Sequence, residues 1–470
     1  MRPLEIILLF VESVALAGFA PVPAPLLWMR HAAALAFVAA LAEASIEGPR
    51  WQMAPAYALA GLLFAIWLTR LATPATGLVG RDWAKWIAVC LGAPAIAISL
   101  AMGILFPVFR IPTPGGPFGI GTLTYHWVDA DRPELFVDDP SARRELMVQI
   151  WYPAGTEPGR PRAPYVEDGA VLAPLARLLH LPGFIFGYLK YIRTNAVVSA
   201  PAAGGAAFPL LIFSHGRGGF RQHDTWLVEE LVSRGYVVAA IDHTFAASGV
   251  IFPDGRLVTI DPRMTDRKFV DAMVPYLAGD VVFALSRITA LNDSDPMGIL
   301  GGRLDLGRVG IFGLSLGGEV SAEASLLDRR IRASLIMDVW MPADVLRRGL
   351  DVPTMWLSRD AGTMRREGWR EADIDETLST MRSVYDSLPR DGYFVLVPGM
   401  YHQDFSDAPL LSPLTSLLGM TGPIDGRRAH EILGAYALAF FDRYLSGKPG
   451  SLLDGPSPRF PEVLFDSRRP

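Results

Sequence analysis

Cysteine is almost missing from this chain of 470 residues. Cys90 is the only one, and it lies in an apolar stretch. A disulfide within the chain is therefore excluded, and cysteine usage does not discriminate between redox compartments. Basic blocks are also lacking, and the formal net charge is −5, which argues against a nucleic-acid partner. No metal-ligand spacing and no dinucleotide or phosphate loop occurs, so neither a metal nor a cofactor is expected. Internal repeats and low-complexity tracts do not stand out.

Charge is scarce over residues 1–110, where apolar runs cover about 3–20, 26–44, 55–73 and 86–107. Each approaches the roughly 20 residues that a bilayer-crossing helix needs. Arg50, Arg81 and Lys85 fall beside the runs, and Tyr57, Trp51, Trp83 and Trp86 sit where interfacial aromatics would anchor them. A cleaved signal peptide is the competing reading, but Glu5 and Glu12 spoil it and three further runs stay unexplained. The expectation is a transmembrane region of about four helices over 1–110. Glu5, Glu12, Arg30, His31 and Glu43 would lie at or near membrane depth, paired across the bundle or close to the interface. An even number of spans and a slight excess of basic residues on the opposite face lean the rest of the chain towards the extracytoplasmic side of a bacterial inner-membrane type protein.

A Pro/Gly linker, "IPTPGGPFGIG" (111–121), separates this region from residues 122–470, where charged, apolar and turn residues mix. Strand-like runs recur there: "TLTYHWV", "LMVQIWY", "PLLIFSH", "GYVVAAIDH", "RVGIFGLS", "ASLIMDVW", "VPTMWLS" and "YFVLVPG". The later ones are short and continuously apolar, as strands buried on both faces of a parallel sheet should be. Helical candidates alternate with them, among them "HDTWLVEELVSR" with Asp224 as its expected cap and "AHEILGAYALAFFDRYL". The fold class expected is α/β, a mostly parallel sheet of about eight strands.

"GIFGLSLGGEV" (310–320) ends one of these strands and opens a helix rich in small residues. Gly313-Leu314-Ser315-Leu316-Gly317 is G-x-S-x-G, the nucleophile-elbow pattern. Gly313 and Gly317 suit the close backbone contacts of such a turn. A serine hydroxyl needs a base, and the base needs an orienting acid. His402 follows the last apolar strand, at the sheet edge where α/β proteins bind ligands. His215 and His243 also end strands and are within reach. Asp338 ends the strand after the elbow, and Asp360 is the competing acid. An oxyanion would be held by the backbone N–H groups of Leu316, directly after the nucleophile, and of Arg217 in "SHGRGG". The Arg217 guanidinium is read equally as ligand-facing or solvent-facing.

At these residues the chain resembles the platelet-activating-factor acetylhydrolase family, serine esterases of the lipoprotein-associated phospholipase A2 type. The resemblance rests on "FPLLIFSHGRGGFRQHDTWLVEELVSRGYVVAAIDH", "GIFGLSLGGEV", "LIMDVWMP" and "GMYHQDFSD" and spans about residues 120–450. It implies an α/β-hydrolase fold, with Ser315 as nucleophile, Asp338 rather than Asp360 as acid, His402 as base, and Arg217 and Leu316 as oxyanion donors. A cap-like insertion is expected over about 160–205. The family usually has histidine and phenylalanine where this chain has Leu314 and Leu316, whose side chains are expected to line the pocket. The leucine-, proline- and phenylalanine-rich segments 171–192 and 408–420 would form an acyl pocket or a membrane-facing rim. The function implied is a membrane-anchored serine esterase acting on lipid-like esters with short or oxidised acyl chains. The alternatives are a non-catalytic hydrolase-like protein that binds a lipid or partner, and an acyltransferase using the same triad.

Overall fold

The structure is a computed structural model that describes residues 1–18, 29, 31–72, 81–155 and 159–469. The chain forms two compact units. The first comprises Met1–Phe109 with Phe184–Leu189 and Leu411–Pro413, and the second holds the remainder.

Four helices build the first unit: α1 (Pro3–Ala17), α2 (Ala32–Ile46), α3 (Ala54–Ala72) and α4 (Arg81–Leu105). Leu8, Leu9, Met53, Ala56 and Ala60 pack at one level, and Ala15, Leu16, Ala32, Leu59 and Leu63 at another. Alanine at so many inward positions lets the helix backbones approach closely. The expectation of four bilayer-length spans is not met. Helices α1 and α2 have 15 residues each, about 22 Å at 1.5 Å per residue, against a hydrocarbon core of about 30 Å. Helix α4 has 25 residues, of which Val89–Leu105 is an apolar stretch among the residues whose side chains are described. Among the described residues of this unit, only Trp51–Thr69 is a helical stretch long and apolar enough to cross a membrane.

The charges in this unit are mostly paired. Arg50 forms a two-pronged contact to Glu5 at 2.6 and 2.7 Å, and Arg2 reaches both Glu5 and Glu43. Among the described residues Glu12 departs from this, fully buried with no hydrogen-bond partner. The His31 ring meets the Trp67 ring edge-on. Arg30 lies outside the described residues, as do the side chains of Arg81, Trp83, Lys85 and Trp86.

The second unit is an α/β-hydrolase-like fold. In chain order its elements are β1 (Gly119–Pro133), β2 (Arg143–Ala154), β3 (Arg162–Pro164), α5 (Leu172–Leu178), β4 (Arg193–Val198), β5 (Phe208–Ser214), α6 (Thr225–Ser233), β6 (Val237–Asp242), β7 (Gly249–Ile251), β8 (Leu257–Thr259) and α7 (Arg267–Asp293). There follow β9 (Leu304–Leu314), α8 (Leu316–Leu327), β10 (Ile331–Met337), α9 (Ala343–Arg348), β11 (Thr354–Ser358), α10 (Ala361–Glu367), α11 (Glu371–Ser387), β12 (Gly392–Leu396), α12 (Ala408–Leu411), α13 (Leu414–Leu417), α14 (Gly426–Leu445) and β13 (Leu464–Arg468).

One sheet of 11 strands runs in the order β13-β12-β11-β10-β9-β5-β6-β2-β1-β4-β3, and β7 and β8 form a separate hairpin. Its centre, from β6 to β12, is parallel. Alternate residues of β5 serve opposite faces. Leu211 and Phe213 join a core built with Leu227 and Leu231 of α6 and Ile432, Tyr436 and Phe440 of α14. Leu210 and Ile212 join a second core with Val274, Leu277, Val281 and Leu285 of α7 and Val320 of α8. Helix α7 is also apolar enough to cross a membrane by length and composition, but its buried residues belong to this core.

The sheet exceeds the expected eight strands because β3, β4 and β13 add to its edges. These are short and carry Arg162, Arg193, Asp466 and Arg468, so no apolar run announces them. Strand β1 begins at Gly119, inside the expected linker.

Candidate active site

Strands β9, β10, β11 and β12 end side by side, and the chemistry-bearing residues follow their carboxyl ends. Ser315 links β9 to α8 with φ 56° and ψ −128°, a conformation that costs a non-glycine residue energy. Its backbone N–H donates to the Met337 carbonyl at 2.9 Å, pinning the elbow beside the end of β10. A methyl on Gly317 would lie 1.9 Å from the Ser214 carbonyl oxygen, and one on Gly313 would lie 2.1 Å from the Gly317 oxygen. Both positions therefore require glycine, for close approach rather than for positive φ.

Asp338 comes directly after β10, also at positive φ (50°), and is 1% exposed. Its Oδ2 lies 2.6 Å from His402 Nδ1. Its Oδ1 accepts from Ser358 Oγ at 2.7 Å and from Arg359 Nε at 3.1 Å. Burial pushes this carboxyl up, but the Arg359 guanidinium, the His402 ring and the Ser358 hydroxyl outweigh it and hold the group well below the usual carboxylate range. Asp338 is thus an anion aimed at one nitrogen of His402, leaving the other ring nitrogen for proton transfer. Ser315 Oγ is not hydrogen-bonded to His402 in this structure. In free enzymes that bond is often long and tightens only with substrate.

Asp360, the competing acid, caps α10 instead, accepting from the Thr363 N–H at 3.0 Å and the Thr363 hydroxyl at 2.6 Å. His215 and His243 belong to a separate buried network. The His243 N–H donates to His215 Nε2, while the His243 ring joins Asp280 at 2.9 Å and Ser214 Oγ at 3.2 Å. Arg144 holds the far side of Asp280.

The loop after β5 abuts the elbow: a methyl on Gly216 would sit 3.3 Å from Ser315 Cβ. Next in that loop, the N–H of Arg217 is engaged by no group among the described residues, and the N–H of Leu316 heads α8 without a helical partner. The Arg217 guanidinium donates to the Met264 carbonyl at 2.8 Å. The expectation that Leu314 and Leu316 line a pocket is not met. They are 2% and 3% exposed and sit in the cores on opposite faces of the sheet, because the elbow turns both side chains inward.

Residues without a sequence motif of their own complete the surroundings. Arg359 meets the Glu367 carboxylate, whose Oε1 accepts the His402 backbone N–H at 3.2 Å. The same guanidinium lies 4.3 Å from the Trp369 ring centre, and that ring is 5.9 Å from the His402 ring. The one local signal for them is "SRD", a charged break after an apolar strand.

Comparison with known proteins places the chain among esterases. The family profile described as "Platelet-activating factor acetylhydrolase, isoform II" matches residues 105–252 and 278–450. A probable 1-alkyl-2-acetylglycerophosphocholine esterase of Arthroderma benhamiae is 25% identical over 407 residues, covering 81% of this chain and 98% of that protein. The platelet-activating factor acetylhydrolase of Cavia porcellus is 23% identical over 369 residues, covering 71% of this chain and 78% of that protein. Among solved structures, a ferulic acid esterase from Streptomyces cinnamoneus superposes with a TM-score of 0.63 at 33% identity, over 76% of this chain and 99% of that one.

Proposed function

Because the chain belongs to the platelet-activating factor acetylhydrolase isoform II family and is an esterase, we propose that it hydrolyses lipid-like carboxylic esters through an acyl-enzyme on Ser315. In this reading Ser315 Oγ attacks the ester carbonyl carbon and passes its proton to His402. Asp338 orients the imidazole and offsets the charge it gains. The N–H groups of Arg217 and Leu316 receive the oxyanion. His402 returns the proton to the departing alcohol, and water then repeats the sequence to release the acid. The observation that carries this reading is the 2.6 Å contact of buried Asp338 with His402 beside a strained Ser315.

A fluorophosphonate probe tests it. The probe should label the full-length wild type at Ser315, and Ser315→Ala should lose labelling together with roughly 10⁴- to 10⁶-fold in ester turnover. Full activity in that variant would sink the proposal.

A second reading, an aromatic acyl group, is favoured by the 33% identity to the ferulic acid esterase. Relative kcat/KM for a short-acyl phospholipid and for methyl ferulate decides between them. Product analysis with an added alcohol separates hydrolysis from acyl transfer.

The helical first unit would attach the enzyme to a bilayer. Ile6, Phe10, Leu35, Val38, Leu41 and Ile46 stand exposed on α1 and α2, and Leu91, Ile98 and Ile104 on α4. Apolar faces of this kind are what lipid tails cover.

A further inference from the structure

We infer that Arg359 and Glu367 form a charge-balanced bracket that positions Asp338 and His402 and sets the acid side of the pH range in which the esterase works. The inference rests on the acyl-enzyme reading and assigns these two side chains as positioning residues.

The bracket is built from contacts on both members of the dyad. Arg359 is fully buried, and its Nε lies 3.1 Å from one oxygen of Asp338 and 3.0 Å from the other. Its head group meets Glu367, and Glu367 accepts the backbone N–H of His402. One ion pair thus links the end of β11 and the last turn of α10 to the acid through its cation and to the base through its anion. Trp369 closes the arrangement, stacked against Arg359 and facing the His402 ring.

A lone cation here would harm catalysis. Arg359 keeps Asp338 ionised, but its positive charge also opposes the imidazolium that His402 must become. Glu367 cancels that opposition, so Asp338 is held as an anion while the ion pair itself adds little net field at His402. At separations of several ångströms in a buried site, one unit charge is worth on the order of 1 pH unit or more.

The other charged groups near the dyad do not duplicate the bracket. Burial, with His215 and His402 nearby, holds His223 down to about 3, so it is neutral in the working range. Asp404, in the turn that carries His402, accepts from the N–H groups of Tyr401 and Gly422 at 2.6 Å each. On α10, Arg365 pairs with Glu371, Arg366 reaches Thr363, and Asp360 is the cap.

The test is the pH dependence of kcat/KM for p-nitrophenyl acetate in the full-length chain. Removing the cation in Arg359→Met should move the midpoint of the acidic limb upward by roughly one unit, because His402 then holds its proton more strongly. Removing the anion in Glu367→Gln should move it downward by a similar amount. Arg359→Lys, which keeps the charge, should leave the midpoint near the wild-type value while kcat falls. A purely structural role would lower rates without opposite displacements, so midpoints that stay put or move the same way overturn the inference. If Arg359→Met does not fold, Glu367→Gln decides alone, with an unchanged midpoint counting against it. Fluorophosphonate labelling of wild-type Ser315 keeps the two proposals apart. No labelling there removes the acyl-enzyme reading and this inference with it, whereas labelling without the opposed shifts removes only the inference.

Discussion

In the proposed mechanism Asp338 carries two loads: it turns His402 towards its task, and it stays charged while fully enclosed. The structure gives it three partners for this, in His402, Ser358 and Arg359. Asp338→Asn keeps the shape but offers an amide where an anion is needed, and it can present the wrong group to His402. Turnover of a soluble ester should fall about 10³- to 10⁴-fold, while Asp360→Asn, which preserves a helix cap, should leave kcat nearly unchanged. Steady-state kinetics of the two variants side by side checks this, and the opposite pattern would move the acid to Asp360. Ser315, Asp338 and His402 could be proposed from sequence because each follows a buried strand, but Asp360 does so too, and the family resemblance selects Asp338 over it. Arg359 and Glu367 could not. Arg359 meets an aspartate 21 residues before it, and Glu367 meets a histidine 35 residues after it, and no local pattern encodes such pairings.

Helix α6 shows the same division between local and distant information. Asp224 occupies its N-cap position, as expected, yet its side chain makes no capping bond. The cap comes from Asp407, just beyond the His402 turn, whose carboxylate accepts the N–H groups of Thr225 at 2.9 Å and Trp226 at 3.1 Å and the Tyr165 hydroxyl at 3.0 Å. Burial nevertheless pushes the Asp407 carboxyl up to about 7, against those three donors and with Glu229 adding to the rise. A raised folded-state value means that the group favours the fold most below its unfolded value of about 4, and that this contribution disappears as pH climbs through about 7. Asp338 and Asp280 are displaced in the other direction and lose their contributions only in strong acid, whereas burial pushes Glu229 up to about 7 as well, so the comparison with a variant that keeps Glu229 isolates Asp407. The expected result is a wild-type Tm that declines between about pH 5 and about pH 8 more steeply than that of Asp407→Asn. Equal slopes in thermal melts would show that Asp407 does not titrate there. At this scale the central strands were legible from nearly unbroken apolar runs, and β1 and β2 from strand-like runs that include polar residues. The edge strands β3, β4 and β13 were not, since pairing on one side only leaves little hydrophobic signature.

For the molecule as a whole, the division into two units puts two short segments of the later sequence with the N-terminal helices. Phe184 packs against Trp51 at 5.4 Å between ring centres, and Tyr188 against Phe106 at 6.0 Å. Trp51 Nε1 donates to the Ile185 carbonyl at 3.1 Å. The first unit therefore draws aromatic partners from residues far along the chain, while leaving Phe10, Val38 and Ile46 of its own helices 67%, 60% and 76% exposed. In the second unit, Leu417 and Leu418 are separately 81% and 69% exposed. A side chain of this size gains about 1.5–3 kcal/mol on leaving water, so a surface with many of them strongly favours an apolar medium. Among the described residues of the first unit, one helical stretch, Trp51–Thr69, is both long and apolar enough to cross a membrane, so the exposed faces rather than a count of spans carry the attachment. Full-length protein made in bacterial cells should stay with the membrane pellet through an alkaline carbonate wash and come into solution only with detergent. Replacing Phe10, Val38 and Ile46 together by serine should raise the fraction released by carbonate while leaving turnover of a soluble ester within about twofold, since surface changes away from the site cost little. Wild-type protein that washes off in carbonate would show that these faces are covered by something other than lipid.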